Sequence, residues 1–324
     1  MGSSPLTDGT ALRPPIATNL MNLKTNRTSL VVLAFALVFT MPLHAAENAD
    51  ELAKKIANPV ASMISLPLQN NFDFGIGAHD GWRYTLNVQP VIPFELNEEW
   101  NLITRTIIPY VHQEDVFKGR APTFEQLLDR VPVKVTGAQK RDLRRAYDKA
   151  TAGAPGHVQD GLSDIVQSFF FAPRKPLPGG WIAGVGPVFL YPSATNDLLG
   201  TEKWGAGPTA VMLRQSGHWT YGALANHIWS YAGNDSRADV SATFFNPFVS
   251  YRPGKGKSIG LQSEMTYDWV ANQWSVPLSV SFSKVAKFGS QAVSFGLGAK
   301  YVVTGPGGGP EWGLRAGITL LFPK

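Results

Sequence analysis

Roughly twelve stretches of this chain alternate apolar with polar side chains over about ten to fourteen residues each, and that period of two is the mark of strands with two unlike faces. The last stretch sets Trp312, Leu314, Ala316, Ile318, Leu320 and Phe322 against Gly313, Arg315, Gly317, Thr319 and Leu321. In 292–303, Val293, Phe295, Leu297, Ala299, Tyr301 and Val303 alternate with Ala292, Ser294, Gly296, Gly298, Lys300 and Val302. The same pattern runs through 83–94, 258–269 and 274–283.

Two architectures produce it. A soluble sandwich buries the apolar face, whereas a membrane barrel turns it to lipid. The stretches match a tilted spanning strand better than the ~5–6 residue strand of soluble sheets. Trp and Tyr gather near their ends, as interfacial girdles require. Gly, Ser, Asn, Gln and charge occupy the second face, which a sandwich core could not hold without partners. Arg315, Gly317, Leu320 and Phe322 stand at the offsets of the terminal strand by which bacterial barrels are recognised for insertion, followed here by Pro323 and Lys324. The expected fold is an all-β, up-and-down antiparallel transmembrane barrel. Its strands fall near 62–72, 83–95, 100–111, 161–173, 181–193, 204–215, 218–231, 239–252, 257–270, 273–284, 290–304 and 311–323. An even count brings both termini to the periplasmic side, with the turns at 97–99, 174–180, 216–217, 253–256 and 286–289.

The N-terminal part suits export. Residues 1–45 divide into an extension before Met21, a short basic segment with Lys24 and Arg27, the apolar run Leu30–Phe39 and a small-residue exit at Ala45 or Ala46. That is the pattern of a cleaved signal peptide, and the run is too short for a membrane-spanning helix of ~20 residues. Residues 46–61 form a short periplasmic segment, helical near 47–57 and too brief for a plug domain. The barrel occupies 62–324, with a long extracellular insertion near 112–160. Within it, 123–131 and 138–150 pattern as helices, the second carrying Lys140, Arg141, Arg144, Arg145 and Lys149. A basic solvated face, a lid, a lumen constriction and a contact with anionic lipopolysaccharide are the readings open to it.

Chemistry is harder to find. The chain has no Cys, which excludes a thiolate metal site, a Cys nucleophile, disulfides and a lipoprotein anchor. A net charge of +5 is too mild to argue for nucleic acid. For a lipid-cleaving Ser–His pair, His227 and Ser230 differ by three positions and face opposite sides of a strand. His79, His112 and His157 have no Ser two positions away, and His218 with Ser216 straddles a turn. Glu264 and Asp268 share a face but lie roughly 13 Å apart, too far for a glycosidase pair. Gly305–Gly309 lacks the Lys and helix of a phosphate cradle. No cofactor motif and no metal-ligand spacing occurs.

What remains is a polar lumen. The inward face is expected to carry Arg83, Asn87, Gln89, Arg105, Gln262, Glu264, Asp268, Lys300 and Arg315, together with Gln167, Arg214, Asn226 and Asn246. These residues either cross-link a filled interior or form a selectivity lining. Expected partners are outer-membrane lipid and lipopolysaccharide, the barrel-assembly machinery and a small-molecule permeant.

Several stretches carry a family likeness: Leu86–Phe94, Trp100–Pro109, Gly161–Phe170, Gly184–Val188, Lys203–Ala210, Tyr221–Ser230 and Leu320–Lys324. Together they resemble the bacterial outer-membrane family described as MetA-pathway of phenol degradation proteins, whose members are often labelled transporters. The resemblance covers nearly all of 58–324. It implies an outer-membrane barrel and brings no catalytic residues. The long 112–160 connection departs from the family's compact pattern. The family label points to aromatic compounds only by association. The expected function is passive passage of small molecules, with a non-conducting structural barrel and a lipid-acting enzyme as the other classes.

Overall fold

Lipid offers no hydrogen bonds, so a strand crossing it must pair on both edges and the sheet must close on itself. That closure is what the alternating stretches achieve. The structure, a computed structural model, describes residues 49–77, 80–117, 124–129, 135–150, 158–288 and 291–322. The expected signal peptide lies outside the described residues, as do Pro323 and Lys324.

The described residues form strands β1 (Ile64–Ile76), β2 (Gly81–Val88), β3 (Val91–Glu95), β4 (Trp100–Glu114), β5 (Val158–Leu162), β6 (Ile165–Pro173), β7 (Trp181–Tyr191) and β8 (Lys203–Ser216). They continue with β9 (Trp219–Gly233), β10 (Ser241–Gly254), β11 (Lys257–Gln262), β12 (Met265–Asp268), β13 (Gln273–Phe288), β14 (Gln291–Thr304) and β15 (Trp312–Phe322). Three pairs run in line, β2 with β3, β5 with β6 and β11 with β12, so the wall is a ring of twelve antiparallel staves. Each stave pairs with its chain neighbours, and β15 closes on β1 with Ile64 opposite Phe322.

The breaks in the β11–β12 and β5–β6 staves have different causes. At 263–264 the register on both neighbours is unchanged, and the positions opposite the break are Pro247 on β10 and Pro277 on β13. Neither proline can donate to the ladder. Ser263 compensates, its N–H bonding Pro247 O at 3.1 Å and its hydroxyl Pro277 O at 2.6 Å. Between β5 and β6 the register against β4 slips by one residue: Tyr110 faces Leu162, but Ile107 faces Val166. A one-residue bulge sends every later side chain of that stave to the opposite face.

On the end where β1 begins and β15 ends, four short turns fall at or within two residues of the expected 97–99, 174–180, 216–217 and 253–256; of the turn expected at 286–289, residues 286–288 belong to β13 and residue 289 lies outside the described residues. The far end carries longer connections, including 115–157. There α2 (Phe124–Asp129) and α3 (Gly137–Ala150) form. Thr136 caps α3 through a reciprocal box, its hydroxyl accepting from Gln139 N at 3.4 Å and Gln139 Oε1 accepting from Thr136 N at 3.0 Å. Phe124 and Tyr147 hold the helices together with ring centroids 5.8 Å apart, and Arg144 lies 5.1 Å over the Phe124 ring.

Aromatic side chains on the outer wall fall in two belts. Trp100, Trp219 and Tyr251 lie at the terminal end, and Tyr110, Trp204, Trp229, Tyr231, Trp269, Trp274, Tyr301 and Trp312 toward the far end; all are exposed. The wall between carries Val185, Leu261, Leu278, Val280 and Phe282, also exposed. An exposed apolar band between aromatic belts is the outer surface of a lipid-embedded barrel.

Candidate functional site

The lumen is built from four parts: a terminal floor, an apolar wall, a polar wall and a charged belt. Helix α1 (Ala49–Ile56) begins the floor. Its Ala49, Leu52 and Ala53 are buried against Val285, Ala292 and Leu321, inward residues at the terminal ends of β13, β14 and β15. Asp50 Oδ1 accepts from Gly256 N at 2.6 Å, and Lys54 O accepts from Gln215 Nε2 at 2.8 Å. Gly256 has φ 70° in its turn, and an added Cβ there would lie 2.8 Å from Ala49 Cβ, so glycine serves both the turn and the helix seat.

From α1 the chain crosses to the other side. Val60 enters a second cluster with Ile103, Phe170, Val211, Leu213 and Leu224 from β4, β6, β8 and β9. A Cβ at Gly184 would stand 3.2 Å from both Val60 Cγ1 and Phe170 Cβ, so the missing side chain makes room for Val60. Residues 49–63 therefore span the terminal mouth from wall to wall. The segment is no plug domain, but apolar inward positions at the strand ends give it a seat across the mouth.

The belt draws on several staves. Arg315 on β15 reaches Glu264, at the β11–β12 junction, with Nη1 at 3.2 Å from Oε1 and Nη2 at 2.7 Å from Oε2. Its Nε donates to Asn71 Oδ1 at 2.7 Å, and Gln262 Nε2 donates to Glu264 Oε1 at 3.2 Å. Lys300 Nζ pairs with Asp73 Oδ1 at 2.7 Å. Arg83 Nε donates to Gln113 Oε1 at 2.7 Å, and Gln113 is bonded on to Gln159 at 3.1 Å. Arg105 Nη2 donates to Gln89 Oε1 at 2.8 Å, and Gln89 Nε2 donates to Gln69 Oε1 at 3.1 Å. Glu264 and Arg105 stand six staves apart in a ring of twelve, on opposite sides of the axis.

Between the belt and the N-terminal segment lies a cavity of about 340 Å³. Arg105, Gln89, Glu264 and Gln262 line it toward the belt, and Ile56, Ala57, Pro59 and Met63 toward the floor. Ser258, Ser281 and Ser283 give it a polar side, and Leu224, Phe248 and Val91 an apolar one.

Most of the residues expected on the inner face are there: Arg83, Asn87, Gln89, Arg105, Gln262, Glu264, Lys300 and Arg315, with Asn226 and Asn246. Arg83, Asn87, Asn226, Lys300 and Arg315 lie outside the cavity lining. Three are placed differently. Asp268 ends β12 at the far rim, where Oδ1 accepts from Val270 N and Ala271 N at 2.9 and 3.0 Å; it caps a turn and is remote from the belt. Gln167 faces outward, bonded to Tyr191 and Thr106, because the bulge before β6 reverses its parity. Arg214 also faces outward, since Val211 and Leu213 take the inner positions of β8. The sequence reading missed Asp73, Gln113 and Gln159. Continuing the alternation Gln69, Asn71, Asp73 one step past the expected strand end would have found the first.

Of the terminal-strand residues, Arg315 joins the belt, Gly317 sits opposite Gln69, and Leu320 and Phe322 take the outward parity of β15. His227 also has neighbours that the single-strand reading did not reach. Its ring lies on the outer wall between Thr243 Oγ1 at 2.7 Å and Ser241 Oγ at 3.4 Å, both on the adjacent β10. Thr243 carries no charge to stabilise an imidazolium, and its oxygen already accepts from Trp269 Nε1 at 2.8 Å. The trio therefore lacks what makes a His an effective base for a Ser. No group of three metal-ligating side chains occurs among the described residues.

The fold and lumen define an outer-membrane-type β-barrel. No protein-family model matches the sequence, and no curated protein does. Among solved structures the chain is similar to the COG4313 outer membrane channel from Pseudomonas putida F1, at 12% identity over 81% of this chain and 96% of that one, with a TM-score of 0.55. It is more distantly similar to the NanC porin, at 9% identity over 79% and 98% with a TM-score of 0.45. For the CymD monoaromatic hydrocarbon channel the values are 9%, 86%, 91% and 0.42. At these identities the shared property is the barrel fold.

Proposed function

We propose that this protein is an outer-membrane channel that passes small solutes passively, with its terminal end in the periplasm and residues 49–63 as the gate. The observation that carries this reading is the cavity on the barrel axis, bounded by a charged belt on one side and a separable N-terminal segment on the other. A barrel serving only as structure has no use for such a chamber. The solved channel at TM-score 0.55 and the resemblance of Leu86–Phe94 and its companion stretches to transporter-labelled proteins support the same class.

The belt sets a charge preference. Its cations are Arg83, Arg105, Lys300 and Arg315, and its anions are Asp73 and Glu264. Arg315 neutralises Glu264 and Lys300 neutralises Asp73, which leaves two guanidinium charges in a confined space where screening is weak. The channel favours anions and neutral solutes. In the 115–157 connection, exposed Lys140, Arg141 and Arg145 on α3 suit contact with the anionic headgroups of the outer leaflet.

The test is conductance of the purified barrel in planar bilayers, with the reversal potential measured across a salt gradient. Channels with anion preference are the expected result. No conductance, together with solute uptake unchanged by deletion of the gene, overturns the proposal in favour of a structural barrel.

A further inference from the structure

The cavity has features of a binding site, beyond those of a passage. Arg105 carries five N–H donors, and one of them is used among the described residues, on Gln89. Glu264, across the axis, is not its partner: Arg315 holds both carboxylate oxygens and Gln262 adds a third donor. Arg105 has no ion pair among the described residues. The Glu264 carboxylate acts on Arg105 through its charge but is hydrogen-bonded to Arg315, so the Arg105 fork is left to attract a second anion, and that planar fork fits a carboxylate with two parallel hydrogen bonds. The other cation lining the chamber, Lys55, is already paired with Glu51 at 3.1 Å.

The remaining surface selects what is attached to that carboxylate. Phe248, Leu224, Val91, Ile56 and Met63 give an apolar face. On the same stave as Phe248, Asn246 Oδ1 and Ser250 Oγ are buried without a hydrogen-bond partner, and both residues line the chamber. At about 340 Å³ the chamber is at the low end of ligand pockets, which run ~300–1,000 Å³. It takes one small molecule, not an oligomer. We infer that the chamber is a binding site for a small monocarboxylate with a compact apolar body, the carboxylate on Arg105 and the body against Phe248 and Leu224.

This inference rests on the channel reading for its biological sense, but its test is independent of conduction. Benzoate, its neutral counterpart benzyl alcohol and the body-less acetate are titrated calorimetrically into the folded barrel in detergent. Benzoate binds, and benzyl alcohol and acetate bind at least tenfold more weakly. Arg105→Gln weakens benzoate about tenfold to a hundredfold and leaves benzyl alcohol unchanged, while Arg105→Lys keeps the charge, loses the fork and falls between. If Arg105→Gln does not fold, the wild-type protein still decides: benzoate affinity must drop with rising salt while that of benzyl alcohol does not. Equal binding of benzoate and benzyl alcohol, or benzoate binding indifferent to Arg105→Gln, overturns the inference. Selective benzoate binding by a barrel that never conducts keeps the site and removes the channel. Anion conductance without benzoate binding keeps the channel and removes the site.

Discussion

In the proposed gate, Leu52 is a buried anchor of the N-terminal segment. It is 6% exposed and packs with Val285, Ala292 and Leu321 at the terminal mouth. Burying a leucine contributes about 1.5–3 kcal/mol. Leu52→Asp removes that contribution and would place a carboxylate in an apolar seat, a further cost of several kcal/mol unless the group reaches water. The closed arrangement is disfavoured by at least ~4 kcal/mol, close to three decades at 1.4 kcal/mol per tenfold, so residues 49–63 leave the mouth. The barrel itself is untouched, because residue 52 belongs to no stave and the β1–β15 closure starts at Ile64. In planar bilayers Leu52→Asp raises single-channel conductance severalfold, and Leu52→Ala gives an intermediate rise. Trypsin reports release separately, through faster cleavage after the exposed Lys54 and Lys55. Rapid trypsin cleavage in Leu52→Asp with wild-type conductance refutes the gate: the segment would be out of the mouth and the passage no wider.

The other predictions concern the belt, the wall, the closing strand and one outer loop. Glu264→Gln removes the belt's bidentate anion and frees Arg315, so the reversal potential moves further toward the anion value; an unchanged reversal potential means that the belt does not line the path. Cysteine at Ser281 labels with a water-soluble thiol reagent and at Phe282 with a membrane-soluble one, since they alternate on β13 and Phe282 is 51% exposed; the same pattern at both sites contradicts the barrel orientation. Phe322→Ala lowers the yield of assembled, heat-modifiable barrel, because that residue ends the strand that pairs with β1; normal yield argues against a terminal assembly signal. In the 234–240 loop, the hydrogen bond from Lys203, followed by its charge, lowers the Asp239 pKa. A carboxylate whose folded pKa is depressed stabilises above its unfolded value of ~3.9 and loses that contribution as pH falls through the folded one. Proteolysis in this loop therefore rises on acidification in the wild type and is pH-independent across that range in Asp239→Asn.

How far the sequence reveals this molecule depends on whether parity survives along each stave. Where the alternation is unbroken, as in β15 and in β13 and β14 from Pro277 to Phe288 and from Gln291 to Val302, the inner and outer faces follow directly, and Lys300 and Arg315 fall where the alternation puts them. The prolines at 247 and 277 interrupt the ladders to the β11–β12 stave without shifting their register, so Glu264 also keeps its face. The bulge at 163–164 adds one residue, and nothing in Leu162-Ser163-Asp164 advertises it. Asp164 is spent on holding Thr201, through N at 2.6 Å and Oγ1 at 2.7 Å, and that is a tertiary contact. In β8 both faces are apolar from Ala210 to Leu213, so periodicity cannot say which one Val60 will meet.

The N-terminal segment shows a subtler limit. Ala49, Leu52, Ala53 and Ile56 recur at helical spacing, so a short amphipathic helix is legible. Its partner surface is not, because a barrel's inner face is normally polar and offers an apolar helix nothing to bury against. Yet the inner positions of three adjacent staves turn apolar together at the terminal end: Val285 after Ser281 and Ser283, Ala292 before Ser294 and Gly296, and Leu321 after Gly317 and Thr319. Water would occupy an open mouth, and apolar groups placed there gain nothing unless something covers them. A set of inward apolar residues clustered at the terminal ends of neighbouring staves is therefore itself a sign that something covers them at the mouth. An apolar segment immediately preceding the first strand has the shortest tether to fill it. The two halves of that interaction lie more than two hundred residues apart in sequence, and barrel closure between β1 and β15 is what brings them together.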